Sequence, residues 1–485
     1  KGQLMAQFWG EAILTSAVSM VFAAILVELA LPFFNTLADK RLVFDLSLQN
    51  VFACFVLVLV TGLLAGAYPA VVISGFSPVR SLRGLVTRMG SDKHLVLRGL
   101  VGFQFLLSIL LLACTLVMAQ QLRFLQNKNL GFDQEQVIVL PYSDSGLRLS
   151  ELLAEGQRTT DRLQIELAGK PAFKAFTWSN HTFGTAGWIQ LGYTDEKANV
   201  YREFFLNGIG RHFIPMMGIR LLEGYNPDPS RNAADARAVV VNETYAQAFG
   251  VQPGQPLPEP FQEYKVAGIA QDFNFESLHS KIRPLVMAPD PIGLIKAASD
   301  INSMDSPNPK ISVKVSGDNL PAAISQLRQA WNKVAPEQAF NYTFLDENID
   351  RQYRAERRFS QVVRYSTVLA IFIACLGLFG MATLGIAQRT KEIGVRKILG
   401  ATTGDIIWLL SKNFTLLVGI AALLAIPLAW YFMSGWLEDF AYRISISPLT
   451  LGLAGLVALL FTWLIVGWQS ARAALGRPVD ALRTE

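Results

Sequence analysis

Six stretches of the chain are apolar over the length of a bilayer crossing and hold almost no charge in their interiors: residues 12–33, 50–74, 98–120, 362–387, 406–433 and 448–469. A helix needs about 20 such residues to cross the hydrocarbon core, where every backbone N–H and C=O must be bonded within the segment. The pattern therefore predicts six membrane-spanning helices. Glu28 and Lys412 lie toward span ends, where a long side chain can reach the interface. Gly62, Gly66, Gly377, Gly380 and Gly455 lie within the spans and predict close helix–helix approach.

Between spans three and four the pattern changes. Residues 124–358 alternate short β-rich runs with amphipathic ones. Val137–Leu140, Ala238–Val241, Tyr264–Ile269 and Ile311–Val315 read as strands, and residues 150–168, 243–249 and 319–335 as helices. Asn319, followed by Pro321 in the first turn, marks a helix start. The mixture predicts an α+β domain inserted between spans three and four. Residues 289–309, rich in Pro, Asp, Ser and Asn, read as a loop. The polar runs at 120–129 and 346–361 are helix-compatible and predict a stalk that continues spans three and four outward.

Composition agrees with a membrane protein carrying one soluble insertion. Hydrophobic residues make up 51% and charged residues 17%, against about 25% charged in soluble domains, and the mean hydropathy is +0.32. The net charge of +5 is concentrated beside the spans. Arg80, Arg83, Arg88 and Lys93 follow span two, Arg389, Lys391, Arg396 and Lys397 follow span four, and Arg472, Arg477 and Arg483 follow span six. The positive-inside rule makes these segments cytoplasmic, and the 34–49 and 434–447 loops and the large insertion extracytoplasmic. Charge so placed argues against nucleic-acid binding. Trp430, Tyr431, Trp436 and Tyr442 read as an interfacial aromatic belt.

Catalytic chemistry finds no foothold. The sequence has no G-x-x-x-x-G-K-[ST], G-x-S-x-G or H-E-x-x-H motif. His94, His181, His212 and His279 are far apart, and Cys54, Cys114 and Cys375 each sit in an apolar run, so neither a metal site nor a disulfide framework is expected. Asp346 and Glu347 are adjacent, and successive side chains point apart on a helix or strand. The Asp272–His279 stretch reads as a structural turn after a strand. No catalytic residue, metal ligand or cofactor is assigned to this chain.

The chain also contains an internal repeat. Residues 1–83 and 403–483 share one order: polar start, long span, short outside loop, second span and basic tail. Pro78, Val79, Leu82 and Arg83 recur as Pro478, Val479, Leu482 and Arg483, always 400 residues on. This divides the chain into the end of a first repeat (1–83), a connection with span three (84–123), the soluble domain (124–358) and a second, three-span repeat (359–485). The second copy is preceded by a span and a basic segment. The first copy predicts the same, so that the whole protein has eight spans and two outside domains and the present sequence is N-terminally truncated.

The segment Gln388-Arg-Thr-Lys-Glu-Ile-Gly-Val-Arg-Lys-Ile-Leu-Gly-Ala401 resembles the signature of the MacB/FtsX-type ABC transporter permeases. Asp272–His279, Val240–Thr244 and Phe344–Glu347 resemble the MacB-like periplasmic core domain, and Leu4–Ala12 and Leu31–Asn35 the first repeat of the long, duplicated members. The resemblance implies a two-lobed periplasmic domain, with a Porter-type lobe at about 130–185 and 308–348 and a Sabre-type lobe between. It implies an ATPase-coupling helix at 388–401 that uses Arg389, Lys391, Glu392, Ile393, Gly394, Arg396, Lys397, Leu399 and Gly400, with Pro78, Arg83, Pro478 and Arg483 as secondary cytoplasmic contacts. Elementary chemistry fits that role and also a plain interfacial helix that touches only lipid: four cations suit a membrane surface or an acidic cleft, four apolar residues (Ile393, Val395, Ile398 and Leu399) supply contacts, Glu392 can pair with Arg396 one turn on, and Gly400 can end the helix. The partners implied are an ABC ATPase that binds ATP and magnesium, a second permease, a periplasmic adaptor or substrate protein, and membrane lipid. The implied setting is the bacterial inner membrane. The implied work is mechanotransmission, for export or extraction of a peptide, lipoprotein or antimicrobial compound. The alternative is a non-exporting regulator of periplasmic cell-wall enzymes.

Overall fold

The computed structural model describes residues 2–74, 90–185, 187–195, 199–305, 307–317 and 319–475. In chain order the elements are helices α1 (Gly2–Ala38), α2 (Leu48–Ser74) and α3 (Gly90–Asn127). Then come β1 (Val137–Pro141), α4 (Leu149–Glu166), β2 (Phe173–Ser179), β3 (Ile189–Asp195), β4 (Val200–Gly208), α5 (Phe213–Met216), β5 (Leu221–Gly224), β6 (Ala238–Asn242), α6 (Glu243–Phe249), β7 (Lys265–Ala270), β8 (Leu285–Ala288), α7 (Ile292–Ala297), β9 (Asp300–Ser303), β10 (Lys310–Val315), α8 (Leu320–Val334), β11 (Thr343–Phe344) and α9 (Leu345–Arg351). The chain closes with α10 (Arg354–Gln388), α11 (Thr390–Ile398), α12 (Thr403–Glu438) and α13 (Pro448–Leu475).

Two compact units emerge, and the first holds residues 1–120, 356–436 and 445–485. Among the described residues six helices are long and apolar enough to cross a membrane: α1, α2, α3, α10, α12 and α13. The repeat carries into this architecture. Ala38 and Glu438 close the first helix of each pair, and Leu48 and Pro448 open the second. In the first pair α2 approaches α1 so closely that a Cβ on Gly62 or Gly66 would stand 2.7 Å from Ile13 or Trp9. Among the described residues a Cβ on Gly380 would meet no neighbour within 4 Å.

The other four spans are tied by polar contacts, the main specific attraction available between helices in lipid. Thr115 meets Thr367 at 2.9 Å between α3 and α10, and Trp463 Nε1 donates to Thr415 Oγ1 at 3.0 Å between α13 and α12. Gln469, buried on α13, donates to Phe379 O at 3.1 Å and Thr383 Oγ1 at 3.0 Å on α10. Gln469→Leu is expected to loosen this pairing by about 1 kcal/mol, the scale of interhelical hydrogen bonds in membranes. Reversible unfolding in detergent micelles would measure it, and an unchanged midpoint would show that the bond contributes nothing net.

The second unit comprises residues 121–355 and 437–444. Its smaller lobe is an antiparallel sheet in the order β11-β1-β10-β2. Because α4 buries Leu152, Leu153, Gly156 and Leu163, and α8 buries Ala323, Leu327, Ala330 and Trp331, each helix presents one apolar stripe to the lobe's core. Ile138, Leu140, Phe176, Ile311 and Val313 supply the sheet side of that core. The Asn319 side chain caps α8 by accepting from Ala322 N at 3.2 Å, as its sequence position predicts. Trp331 is fully buried, and its Nε1 donates to Gln338 O at 3.0 Å. Trp331→Ala should cost this lobe about 3–5 kcal/mol, read as lost amide-exchange protection in β1, β2 and β10.

The larger lobe is a mixed sheet in the order β5-β7-β6-β8-β4-β3-β9, with β4–β8 and β6–β7 parallel. Asn242 knits it together: its Oδ1 accepts from Tyr245 N at 3.0 Å, capping α6, and from Leu285 N at 2.9 Å on β8. Two expectations need correction. Residues 289–309 are not one loop, because they contain α7, started by Asp290 accepting from Ile292 N at 3.1 Å, and the edge strand β9. The polar run at 346–361 is not one continuous extension of span four: α9 ends at Arg351 and α10 begins at Arg354, while buried Tyr353 between them accepts from Leu278 N through its hydroxyl at 2.9 Å. Glu347, in the first turn of α9, pairs with Arg351 at 2.9 Å and Arg354 at 3.4 Å. Asp272 accepts from Thr244 N at 3.0 Å and Thr244 Oγ1 at 2.6 Å, the structural use expected of its stretch.

Residues 437–444, the connection between α12 and α13, belong to this unit. Ala441 N donates to His279 O at 3.2 Å, and Phe440 stacks on the His279 ring at 4.4 Å. Gln121 holds the same stretch from the other side: its Nε2 donates to Tyr442 O at 2.9 Å and its Oε1 accepts from Ile444 N at 3.0 Å. Tyr442 lies under Lys128 Nζ at 4.3 Å, a cation–π contact.

Candidate partner-docking helix

The residues singled out at 388–401 fold into α11, a helix set between two spans. Its start is a break in the chain path. Arg389 leaves helical geometry at φ −107°, its N donates to Ile386 O at 3.0 Å, and Ile393 N closes back on Arg389 O at 2.9 Å. Its end is sharper. Gly400 sits at φ +96°, Gly400 N donates to Lys397 O at 3.2 Å, and Ala401 N donates to Arg396 O at 3.0 Å. This pair of bonds is a Schellman motif, which favours glycine because the left-handed backbone has no room for a Cβ. The next helix is capped at once. Thr402 N donates to Asp405 Oδ2 at 3.0 Å, and Asp405 N donates to Thr402 Oγ1 at 3.3 Å, a reciprocal capping box.

Thr402 and Asp405 were not among the residues singled out, although the T-x-x-D spacing after Gly400 carried the signal. Their effect is mechanical. With few residues between the last turn of α11 and the first turn of α12, and their backbone polar groups bonded, α11 is held as a stiff arm and not as a tether.

The apolar residues of α11 divide into two sets. Ile393 is buried with Ile406 and Leu410, and Ile386 packs beside them. Gly394 is buried as well. These two anchor the arm and leave nothing for a partner to touch. Val395, Ile398 and Leu399 face outward, and Leu399 is 80% exposed. Beside them Arg396 pairs with Glu392 at 2.9 Å, with both side chains about half exposed. The i,i+4 pair steadies the helix by a few tenths of a kcal/mol and orients Arg396 on the outer face. Lys397 is half-buried and Arg389 stands at the amino end. The side chain of Lys391, together with Pro78, Arg83, Pro478 and Arg483, lies outside the described residues. The arrangement offers a protruding apolar–cationic surface on a braced base. It can bind, and it holds no group placed for catalysis. Among the described residues no cluster of His, Cys, Asp or Glu is arranged to hold a metal.

Comparison with known families matches residues 1–78 and 366–475 to the FtsX-like permease C-terminal model and residues 109–330 to the MacB-like periplasmic core domain. The first match takes in α11, and the second takes in the larger lobe and most of the smaller one. A macrolide export ATP-binding/permease protein, MacB, from Sodalis glossinidius is 25% identical over 311 residues, covering 61% of this chain and 45% of that protein. The MacB of Escherichia coli K12 is 33% identical over 127 residues, covering 24% of this chain and 18% of its own. The chain thus spans less than half the length of these curated relatives. Among solved structures, the periplasmic region of MacB from Actinobacillus actinomycetemcomitans aligns with 47% of this chain and 96% of its own, at 16% identity and a TM-score of 0.29.

Proposed function

The chain belongs to the MacB/FtsX-type ABC permeases, and from that premise we propose that it is a non-catalytic membrane subunit that passes the work of a separate ATPase to its two-lobed extracytoplasmic domain. The observation that carries the reading is α11: an outward apolar–cationic face on an arm fixed to α10 at Arg389 and to α12 through Gly400, Thr402 and Asp405. A partner that grips such an arm moves two spans at once. These 485 residues contain no phosphate-binding loop motif, and in this reading a separate partner holds ATP and magnesium and supplies the motion. The helices then deliver movement to the soluble domain, a mechanotransmission cycle in the inner membrane. Relatives named for macrolide export favour export of an antimicrobial compound over extraction of a peptide or lipoprotein. A dimer of permeases and a periplasmic adaptor complete the assembly.

Affinity purification of the tagged full chain from its native membranes tests this reading. A P-loop ATPase should be recovered with it and should show ATP turnover altered by the permease. Repeated recovery of the chain with no ATPase, under detergents that keep it monodisperse, would refute the proposal.

A further inference from the structure

Beside the arm, four spans converge on a cavity of about 100 Å³. Its wall comes from the early turns of α3, the last turns of α10, the first half of α12 and the end of α13. These are the helix segments that the basic flanks assign to the cytoplasmic leaflet. Arg98 and Arg389 both line the cavity, and no acidic residue does. Among the described residues neither arginine is engaged in an ion pair. Asn413 adds an amide and Ser470 a hydroxyl. Ser470 is fully buried, yet its Oγ has no hydrogen-bond partner among the described residues. An unmet buried hydroxyl is costly, on the order of 1–3 kcal/mol, and is normally satisfied by something in the space beside it. Apolar side chains, Leu384 and Phe414 among them, complete the wall.

We propose that this cavity binds the headgroup of an anionic phospholipid from the cytoplasmic leaflet. Two guanidinium groups with no carboxylate between them make a site of net positive charge. Arginine is suited to phosphate oxygens because its fork of donors matches them two at a time. A phosphodiester would place one negative charge between Arg98 and Arg389 and relieve their mutual repulsion. Its remaining oxygens or its glycerol would meet Asn413. The apolar wall favours a lipid over free phosphate, since it covers the start of an acyl chain and gives nothing to a small ion. Basic pockets between spans on the cytoplasmic side are suited to such headgroups. The site adjoins α11 through Arg389 and Ile386, so a bound lipid braces the root of the arm.

The test uses the full chain in nanodiscs of mixed phosphatidylglycerol and phosphatidylethanolamine, with a photoactivatable phosphatidylglycerol as probe. The label is expected on peptides around Leu97–Phe103 and Met381–Arg389. Arg98→Gln should lower labelling by about tenfold, the loss of one charge-assisted contact. Ser470→Leu, which fills the cavity, should remove it. Unlabelled phosphatidylglycerol should compete and phosphatidylethanolamine should not. Label mapped elsewhere on the unaltered chain overturns the proposal even if a variant fails to fold. Equal competition by phosphatidylethanolamine, or labelling indifferent to Arg98→Gln, also overturns it. Competition by millimolar inorganic phosphate as effective as that by phosphatidylglycerol would refute the lipid as the ligand.

Discussion

Arg396→Glu combined with Lys397→Glu is expected to abolish recovery of the ATPase partner and its coupled ATP turnover while leaving the permease folded. Arg396 lies on the outer face of α11 beside Val395 and the strongly exposed Leu399. Against an acidic cleft, two reversals turn attraction into like-charge contact, which costs several kcal/mol and lowers affinity by roughly a hundredfold or more. For Arg396 the cost to the helix itself is small, and Lys397→Glu alone serves as the control for the half-buried Lys397. Losing the Arg396–Glu392 pair and gaining a repulsion one turn apart is worth roughly 0.5–1 kcal/mol, and the buried anchor of Ile393 with Ile406 and Leu410 is untouched. Pull-down and ATPase assays on the purified complex, with the elution profile of the variant as the folding check, decide the matter. Undiminished binding and turnover would remove α11 from the docking site.

Acidification should weaken the soluble domain through His181. Its ring is buried, and its Nε2 accepts from Ile189 N at 3.1 Å, so it must stay neutral to keep that bond. Burial, and secondarily the positive charge of Lys310, push it down to about 3. An unfolded histidine titrates near 6.5. Between those values the unfolded chain takes up a proton that the folded domain refuses, so stability present above pH 6.5 is lost progressively as the pH falls toward 3. The accumulated loss is about 5 kcal/mol, and below pH 3 it levels off because both states are protonated. In His181→Gln this component should vanish. The unaltered chain should be the more stable at pH 7, and its advantage should shrink on acidification. Parallel pH profiles for the two proteins would show that His181 is not the group responsible. Lys310, whose Nζ donates to Asn180 O at 2.6 Å, is itself pushed down to about 8 by burial.

What could be read from the sequence was what local chemistry dictates. Spans are set by length and apolarity, and all six appear where expected, extended by polar turns at their ends. Strands β1 and β6 are apolar runs buried on both faces, β7 is one after its exposed Lys265, and β10 alternates Ile311, Val313 and Val315 with Lys310, Ser312 and Lys314, so they stood out. The Glu392–Arg396 pair and the Gly400 stop are one-turn relations and were equally legible. The failures have tertiary causes. In β9, Asp300, Ile301 and Asn302 are exposed, and the pairing with β3 is interrupted by a register shift, so no alternation marks it. The helix α7 is six residues long with only Leu294 buried, too little periodicity to see through a Pro- and Asp-rich composition. The break before α10 exists because Tyr353 reaches Leu278, a partner that no neighbouring residue announces. The inward turn of Ile393 depends on Ile406 and Leu410, which belong to the next span.

The discontinuous build of the smaller lobe also governs when the domain can be completed. Strand β1 has two neighbours in its sheet, β10 and β11, and both follow the whole of the larger lobe in the chain. Val137-Ile-Val-Leu140 therefore emerges with neither edge satisfied, and an unpaired apolar strand is prone to join the wrong partner. At roughly 5–20 residues per second its first ladder partner arrives on the order of ten seconds later. The larger lobe has its own complete sheet and can close in that interval. During synthesis the smaller lobe is last to close and its first strand is longest exposed.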